Sequence, residues 1–545
     1  MANGVPSLPA IPLEQRTPVV EALLAILCAQ QDRIRQLEET VQQLRDEIAI
    51  LKGQKPRPKI APSLLEQALP PPPPPDGPKQ KRPGSDKKPK NAQLTITHER
   101  RIVFPDPPAG AVSNGYEEYI VQELLIRPEV TRYLRERILT PDGQSLLAPL
   151  PAEVLPGQHF GPTLISHILY QYHHQHVTQP LLQDELAQLG IVISAGQINR
   201  LLTEDKHLFH EEKAELLTAG LTTADYIQVD DTGARHDGKN GYCTQLGNEF
   251  FAYFASTDSK SRLNFLQVLR GGQRDYVLNE VATAYWQKYG VAAAMIAALA
   301  EGPTHFLDVT AWNDRLQALG ITTPRLVRIT TEGALLGSLI DHGVSPDLVV
   351  LSDGAGQFNL LVHAACWVHA ERPLSRMIPH NEQHRLAIAQ VQQQIWELYQ
   401  DLKAYRQQPL LKQVPVLTAR FEALCRQQTV YPSINQVLKD LQEHQTDLLR
   451  VLTRPEVPLH NNASESDIRD YVKKRKISGS TRSDAGRACR DTFASLKKTC
   501  RKLGIRFWDY LRDRVQGLGQ IARLADVICH RAAEATAKKA QAVPT

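Results

Sequence analysis

The sequence contains few cysteines, and none of them forms a CxxC pair. It also lacks any run of eighteen apolar residues, the charged-then-apolar order of a signal peptide and a GxxxxGK[ST] phosphate loop. These absences argue against a disulfide framework, a cysteine zinc site, a transmembrane helix and a nucleotide-driven motor. We therefore expect a cytoplasmic protein without a membrane partner. Seven cysteines are scattered along the chain: Cys28, Cys243, Cys366, Cys425, Cys489, Cys500 and Cys529.

Charge of either sign is nearly balanced. The chain carries 63 Lys and Arg residues against 59 Asp and Glu residues, a formal net charge of +4. Any surface for nucleic acid must therefore come from local clusters of cations. An apolar content of 42% with 22% charged residues is ordinary for a globular protein, and 545 residues predict several structural units.

The first part of the chain favours assembly over chemistry. After a tail at 1–17, residues 18–52 place apolar side chains at alternating three- and four-residue spacing, with Gln30 as the single polar core position. This pattern predicts a coiled coil of the leucine-zipper type and hence a homo-oligomer. Residues 53–95 are rich in Pro and Lys and predict a disordered linker. The basic half of that linker is equally compatible with a solubilising spacer and with loose phosphate contacts.

Residues 96–220 are expected to be mostly helical, with a helix-turn-helix inside them. One helix ends at Gly190, and Ser194 begins a second that runs through Leu202. A DNA-reading pair and a purely structural hairpin both fit this pattern. Three histidines just upstream indicate a polar helix surface more than a metal site: His173, His174 and His176.

The period changes to that of strands after residue 221. Three successive strands are predicted across 226–257, and the first is an apolar run followed by Asp230 and Asp231. A later apolar run at 348–351 leads to Asp353 and a glycine turn. Carboxylates at the carboxyl ends of strands lie where α/β sheets expose their sites, although a lone one is usually a turn residue.

Helical segments interrupt and follow these strands. Residues 272–340 and 381–455 are interpreted as helical insertions that cover a sheet, within a domain at 221–480. Another short strand is predicted around Cys366 and Trp367. The C-terminal segment, 481–545, is predicted to be helical, with two helices broken at Gly504 and then a polar, alanine-rich tail.

One stretch, HNNASESDIRDYVKKRKISGS, joins a carboxylate to a dense run of cations. Glu465 stands near the start of a predicted helix, and Arg469 follows it on the same face. The cations at 473–476 come within the next two turns. Such a combination suggests a site that handles phosphates through a metal ion, although a solvated helix start followed by a basic surface remains an alternative.

Together these motifs resemble bacterial DDE transposases of the insertion sequence 66 family. Asp230 in VDDT, Asp353 in LVVLSDGAGQF with the following CWVHAER, and Glu465 in NNASESDIR look like that family's Asp-Asp-Glu triad. RKISGSTRSDAGRA and LGIRFWDYL resemble its final segment, and the zipper and helix-turn-helix follow its order of parts.

The sequence also departs from the family pattern. Residues 96–130 lack the cysteine zinc element that commonly precedes the helix-turn-helix. His460 stands where the family has Asp, and Ser466 where it has Arg. The first two carboxylates are 353 − 230 = 123 residues apart, which indicates an extra insertion between them.

The resemblance implies an α/β, RNase H-like (retroviral-integrase-type) catalytic domain, with a five-stranded mixed sheet and helices on both sides. Asp230, Asp353 and Glu465 would hold two Mg²⁺ or Mn²⁺ ions for cleavage and strand transfer of DNA. Asp231 and Asp467 are the neighbours most easily confused with these ligands. Further along the chain, His369 and Arg372 would support the second motif, and seven cations would contact DNA phosphates: Arg469, Lys473, Lys474, Arg475, Lys476, Arg482 and Arg487.

The implied partners are the terminal inverted repeats of the element, target DNA and accessory proteins of the same element. The protein would be cytoplasmic and associated with the nucleoid when bound to DNA. Two other functions stay open: an RNase H-like nuclease that cuts without joining, and a non-catalytic DNA-binding regulator from a decayed element.

Overall fold

The structure is a computed structural model that describes residues 94–151, 157–379 and 381–541, together with six isolated positions (17, 19, 20, 30, 65 and 154). The coiled coil predicted at 18–52 and nearly all of the linker predicted at 53–95 lie outside the described residues. Both stay predictions.

The described part of the chain is a mixed α/β structure with nine strands. Numbered in chain order, they are β1 Arg137–Leu139, β2 Ser145–Leu147, β3 Tyr226–Gly233, β4 Tyr242–Gly247, β5 Ala252–Thr257, β6 Tyr276–Val277, β7 His305–Phe306, β8 Val349–Ser352 and β9 Val362–Ala365.

Eighteen α-helices accompany these strands in the described ranges. They are α1 Pro162–His173, α2 Gln179–Gln188, α3 Ala195–Thr203, α4 His207–Thr223, α5 Arg262–Arg270, α6 Glu280–Lys288, α7 Ala293–Ala300, α8 Val309–Ala318, α9 Pro324–Asp341, α10 Trp367–Ser375, α11 Glu382–Gln407, α12 Val414–Cys425, α13 Pro432–Glu443, α14 Gln445–Leu448, α15 Asn462–Ser478, α16 Asp484–Lys502, α17 Phe507–Gln516 and α18 Leu524–Gln541. Across the same ranges, no helix has the length and apolar character that crossing a bilayer requires.

The expected helical content is wrong for the beginning of the 96–220 segment. Within that segment, the described residues before α1 contain no helix, and their regular structure is the β1–β2 hairpin. Proline recurs through this stretch and cannot donate the amide hydrogen that a helix interior needs. Large apolar side chains such as Leu124 and Leu134 remain exposed, so no core stabilises a helix here.

The two helices of the predicted helix-turn-helix are α2 and α3. Gly190 has a φ of +80°, which allows the chain to turn after α2. Ser194 caps α3 by accepting from the Gln197 amide, and the Gln197 side chain accepts from the Ser194 amide in return. Leu182 and Leu186 pack into the core. These contacts establish a helix pair, and its role in reading DNA stays a prediction.

A five-stranded mixed sheet forms the centre of the structure, in the order β5–β4–β3–β8–β9. The first three strands pair antiparallel, whereas β3–β8 and β8–β9 pair parallel. The strand predicted around Cys366 and Trp367 is wrong by a few residues, because β9 ends at Ala365 and Trp367 begins α10. The Trp367 indole N–H donates to the Leu448 carbonyl at 2.8 Å, which anchors that residue in a helical core.

Helices cover the sheet and form two main cores. The larger core joins the sheet to α1–α9 and α16–α18, and the second lies among α10–α14. Residues 272–340 and 381–455 are largely helical, as expected. Trp286 and Trp312 are fully buried in the larger core, and Trp396 packs against the second.

Three helices, α16, α17 and α18, make up most of the C-terminal segment predicted at 481–545. The break at Gly504 is present, with a φ of +74° between α16 and α17. The tail expected to be polar contains the 18-residue helix α18, which packs on α4. Leu524, Ile528 and Ala532 recur every four residues and bury one stripe of this helix.

Candidate active site

Two of the predicted carboxylates lie side by side at the carboxyl ends of two neighbouring inner strands of the sheet. Gln228 of β3 pairs with Leu351 of β8 in parallel register. Asp230 and Asp353 each follow two residues later along these neighbouring strands. Since adjacent strands are about 4.8 Å apart, the register alone brings the two carboxylates close together.

The first turn of α15 brings the third carboxylate to the same end of these strands. Asn461, which precedes this helix, is fully buried, and its side-chain Nδ2 donates to the Val229 carbonyl at 3.5 Å. The Ser464 amide donates to Gln228 Oε1 at 3.4 Å, and the Ser464 hydroxyl bonds the Gln245 side chain. These bonds fix the start of α15 on β3 and β4, so Glu465 faces Asp230.

The three carboxylates act on one another electrostatically. Burial raises the pKa of Asp230 to about 7, even though the hydrogen bond from the Asp231 amide lowers it. The negative charges of Asp353 and Glu465 raise this pKa further. The structure therefore brings the predicted triad together and disfavours three simultaneous negative charges without a cation.

Cations of the CWVHAER motif and of α15 surround Glu465. Arg469 Nη2 lies 3.2 Å from Glu465 Oε2, while Arg372 Nη2 and His369 Nε2 lie 3.9 and 3.7 Å from Oε1. Burial and the charge of Arg372 lower the pKa of His369, which favours a neutral imidazole. Glu465 Oε1 is buried and has no hydrogen-bond partner within the described structure.

The two neighbouring carboxylates are already neutralised by other partners. Asp231 forms an ion pair with Lys260 and accepts a hydrogen bond from Gln357 Nε2 at 2.9 Å. Asp467 lies 3.0 Å from Lys502 Nζ of α16. Sequence reasoning missed Lys260 and Gln357, because neither shares a motif or a helical spacing with Asp231.

Oxygen donors of this kind suit a hard divalent cation such as Mg²⁺. The charge of the triad and the unpartnered Glu465 Oε1 fit such an ion. Within the described ranges, however, no three His, Cys, Asp or Glu side chains converge as a ready-made ligand set.

The predicted phosphate-binding cations differ in how exposed they are to solvent. Lys473, Lys476 and Arg482 are exposed. Arg475 donates to Thr232 Oγ1 at 3.2 Å, at the end of β3. Lys474 departs from the predicted surface: it is only 5% exposed and donates to the Tyr172 carbonyl at 2.7 Å. The remaining two are engaged in ion pairs: Arg469 with Glu465, and Arg487 with Asp258 and Asp484.

The histidines upstream of the helix pair do not form the expected polar surface. His173 is buried and stacks on Phe493, with ring centroids 4.0 Å apart. His176 Nε2 lies 3.1 Å from Asp470 Oδ1. The reason is that α16 packs over this end of α1.

A cavity of about 410 Å³ lies away from the carboxylate site, between α1, α3, α4 and α17. None of the three carboxylates lines it. Charge and strand register distinguish the candidate site.

A family model and a relative match parts of this chain. The family model described as "Transposase IS66 family" matches residues 157–273 and 348–488, which include all three carboxylates. An uncharacterized protein of Sinorhizobium fredii, y4jO, is 42% identical over 321 residues, covering 58% of this chain and 100% of the relative. The chain belongs to the IS66 transposase family. Residues 274–347, between the two matched segments, coincide with most of the first predicted insertion.

The raised pKa of Asp230 predicts a stability effect that depends on pH. A carboxyl whose folded pKa lies above its ordinary value of 3.8 costs stability as pH rises from about 4 to 7, and the full cost persists above pH 7. Asp230→Asn should therefore raise the melting temperature of the metal-free protein at pH 8 and have little effect near pH 4. The corresponding gain in the free energy of unfolding at pH 8 is on the order of 1–4 kcal/mol.

Asp231→Asn is the matched control for this prediction. It removes the partner of Lys260, so it should lower the melting temperature at pH 8. Thermal denaturation of both variants and wild type, with chelator present, measures the difference. A destabilising Asp230→Asn at pH 8 would contradict the electrostatic description of the triad.

Proposed function

We propose that this chain is a transposase that cleaves the DNA ends of its element and joins them to target DNA. The observation that carries the proposal is the proximity of Asp230, Asp353 and Glu465 at the carboxyl ends of β3 and β8. Strand order supports it, since three antiparallel strands followed by two parallel ones are what an RNase H-like catalytic domain is expected to have.

The three carboxylates would hold two Mg²⁺ or Mn²⁺ ions. Such a pair of ions activates the attacking water or 3′-hydroxyl and stabilises the leaving oxygen. Asp230 must lose its proton before it can serve as a ligand, so burial tunes it to release that proton near neutral pH.

Arg469 would couple DNA binding to assembly of this site. Its side chain is 72% exposed although it pairs with Glu465 across one helical turn. A DNA phosphate can attract this guanidinium to the surface. Glu465 then loses its nearest cation and becomes free to turn toward Asp230 and Asp353.

Other surfaces would position the DNA. The exposed cations Lys473, Lys476 and Arg482 lie on or just after the helix that carries Glu465 and would contact phosphates without reading sequence. The α2–α3 helix pair is proposed to contact the terminal inverted repeats. We also propose a homo-oligomer formed through residues 18–52, accessory proteins of the same element, and a cytoplasmic, nucleoid-associated location.

The experiment is an assay with labelled DNA that carries the ends of the element and an unlabelled target. Joined product that requires Mg²⁺ is the expected result, and samples with chelator serve as the control. Cleavage without joining would favour an RNase H-like nuclease, and end binding with neither reaction would favour a non-catalytic regulator. Either outcome would overturn the transposase proposal, provided that the assay contains all proteins of the element.

A further inference from the structure

A small cleft between α1, α15 and α16 is walled by buried cations. It lies beside Tyr172 and His173 at the end of α1 and has a cavity of about 20 Å³, enough for one water-sized group. Four cationic side chains line it, and each belongs to a residue that is less than one tenth exposed: Lys474 (5%), Arg490 (9%), Lys497 (7%) and Lys498 (8%).

Carboxylates balance only part of this charge. Asp470 forms an ion pair with Lys497 and lies 3.9 Å from Lys498 Nζ, and Asp467 Oδ1 lies 3.6 Å from the same Lys498 Nζ. Lys474 and Arg490 have no carboxylate within 4.0 Å in the part of the chain that the structure describes. Lys474 Nζ instead lies 3.4 Å from the centroid of the Tyr172 ring, and Arg490 Nη1 donates to a backbone carbonyl at 3.0 Å.

Such an imbalance is costly in a folded protein. Burying a cation without a counter-charge costs several kcal/mol, so the cleft is stabilised by anything that supplies negative charge. Burial, together with the charges of Arg490 and Lys497, lowers the pKa of Lys474 to about 7. Near neutral pH, a bound anion would keep this lysine protonated.

Two imidazole nitrogens in the cleft also lack partners. His173 Nε2 and His176 Nδ1 are buried and have no hydrogen-bond partner among the described residues. His173 is 7% exposed, and its stacking on Phe493 holds the ring in place. Burial and the charge of Lys474 lower its pKa, so the ring is neutral and has one N–H to donate.

We infer that this cleft binds a phosphate group, with one phosphate oxygen in the cavity beside Lys474, Arg490 and His173. The group is either a phosphodiester of bound DNA or free inorganic phosphate. Lys474 follows Glu465 by nine residues on α15, about 14 Å along the helix axis, so the cleft is separate from the carboxylate site. The inference does not require the proposed DNA chemistry, because binding is measured without cleavage.

The first test uses the full chain and inorganic phosphate. Millimolar phosphate should raise the melting temperature of wild type by about 2 °C or more, relative to sodium chloride of equal ionic strength. Lys474→Met should abolish this rise, whereas Lys412→Met, at an exposed lysine between α11 and α12, should retain it. Arg490→Met provides a second variant in case Lys474→Met does not fold.

The second test identifies the source of the phosphate. Binding of a short fluorescent DNA duplex should weaken about tenfold more in Lys474→Met than in Lys412→Met if the cleft takes a DNA phosphodiester. A melting shift without any difference in DNA affinity would assign the cleft to free phosphate. If wild type shows no specific phosphate shift and both variants bind DNA equally, the cleft is not a phosphate site.

Discussion

Replacing Asp353 by asparagine is expected to lower DNA cleavage and joining by at least about 1,000-fold, equivalent to about 4 kcal/mol of transition-state stabilisation. The substitution removes one negative charge from the triad while keeping its shape. Asp353 Oδ1 accepts from the Ala355 amide at 3.0 Å, and the asparagine oxygen can accept the same bond. Because the turn is kept, loss of activity would support the proposed role of Asp353 as a metal ligand.

Asp347→Asn is the control for that experiment, because Asp347 is exposed just before β8 and lies outside the triad. It should cleave and join like wild type. Labelled DNA products and melting temperatures are compared for both variants. Asp353→Asn with wild-type activity would remove Asp353 from the catalytic site, since the fold is expected to be the same.

Replacing Glu212 by alanine should destabilise the fold by about 3–5 kcal/mol. The Glu212 side chain is fully buried and accepts hydrogen bonds from Arg514 Nε at 2.9 Å and Nη2 at 2.9 Å. The Tyr510 hydroxyl at 2.8 Å and the Leu524 amide at 3.0 Å donate to the same carboxylate. One side chain of α4 thus joins α17 and the start of α18, and its loss leaves the buried Arg514 guanidinium with only part of its counter-charge, from Asp513.

Glu211→Ala is the matched control for Glu212→Ala, because Glu211 is the exposed neighbour on the same helix. Its effect should stay within about 0.5 kcal/mol. Urea denaturation followed by circular dichroism measures both variants. Equal midpoints for the two would show that the Glu212 network contributes little net stability.

The central sheet is the part of the fold that the sequence predicted best. Strands β3, β4, β5 and β8 alternate or run apolar over lengths typical of strands, and turn residues separate them. The strand near Cys366 was misplaced because a four-residue apolar run has no period that separates strand from helix. Helix α18 lies inside the segment predicted as helical, but its alanine-rich composition hides the buried stripe that Leu524 and Ile528 form.

Local sequence patterns indicated the three carboxylates of the candidate site but not the residues around them. Asp230 and Asp353 follow apolar runs, and Glu465 precedes cations, so all three have local signals. The ion pair of Lys260 with Asp231 joins separate elements, and no local pattern reveals it. Lys474 was expected on the surface because a run of four cations resembles a solvated face, yet tertiary packing against Tyr172 buries it.

The parallel pairing of β3 with β8 has a consequence for how the protein folds. The paired residues Tyr226 and Val349 are 349 − 226 = 123 positions apart, whereas β3, β4 and β5 pair through short hairpins. Local pairing precedes distant pairing, so the three-strand meander should form while the edge of β3 that later receives β8 is still open. At about 5–20 residues per second, that edge waits roughly 6–25 s during synthesis. Asp353 therefore reaches Asp230 late, and a chain interrupted before β8 leaves the ribosome with an unpaired strand edge, which promotes aggregation.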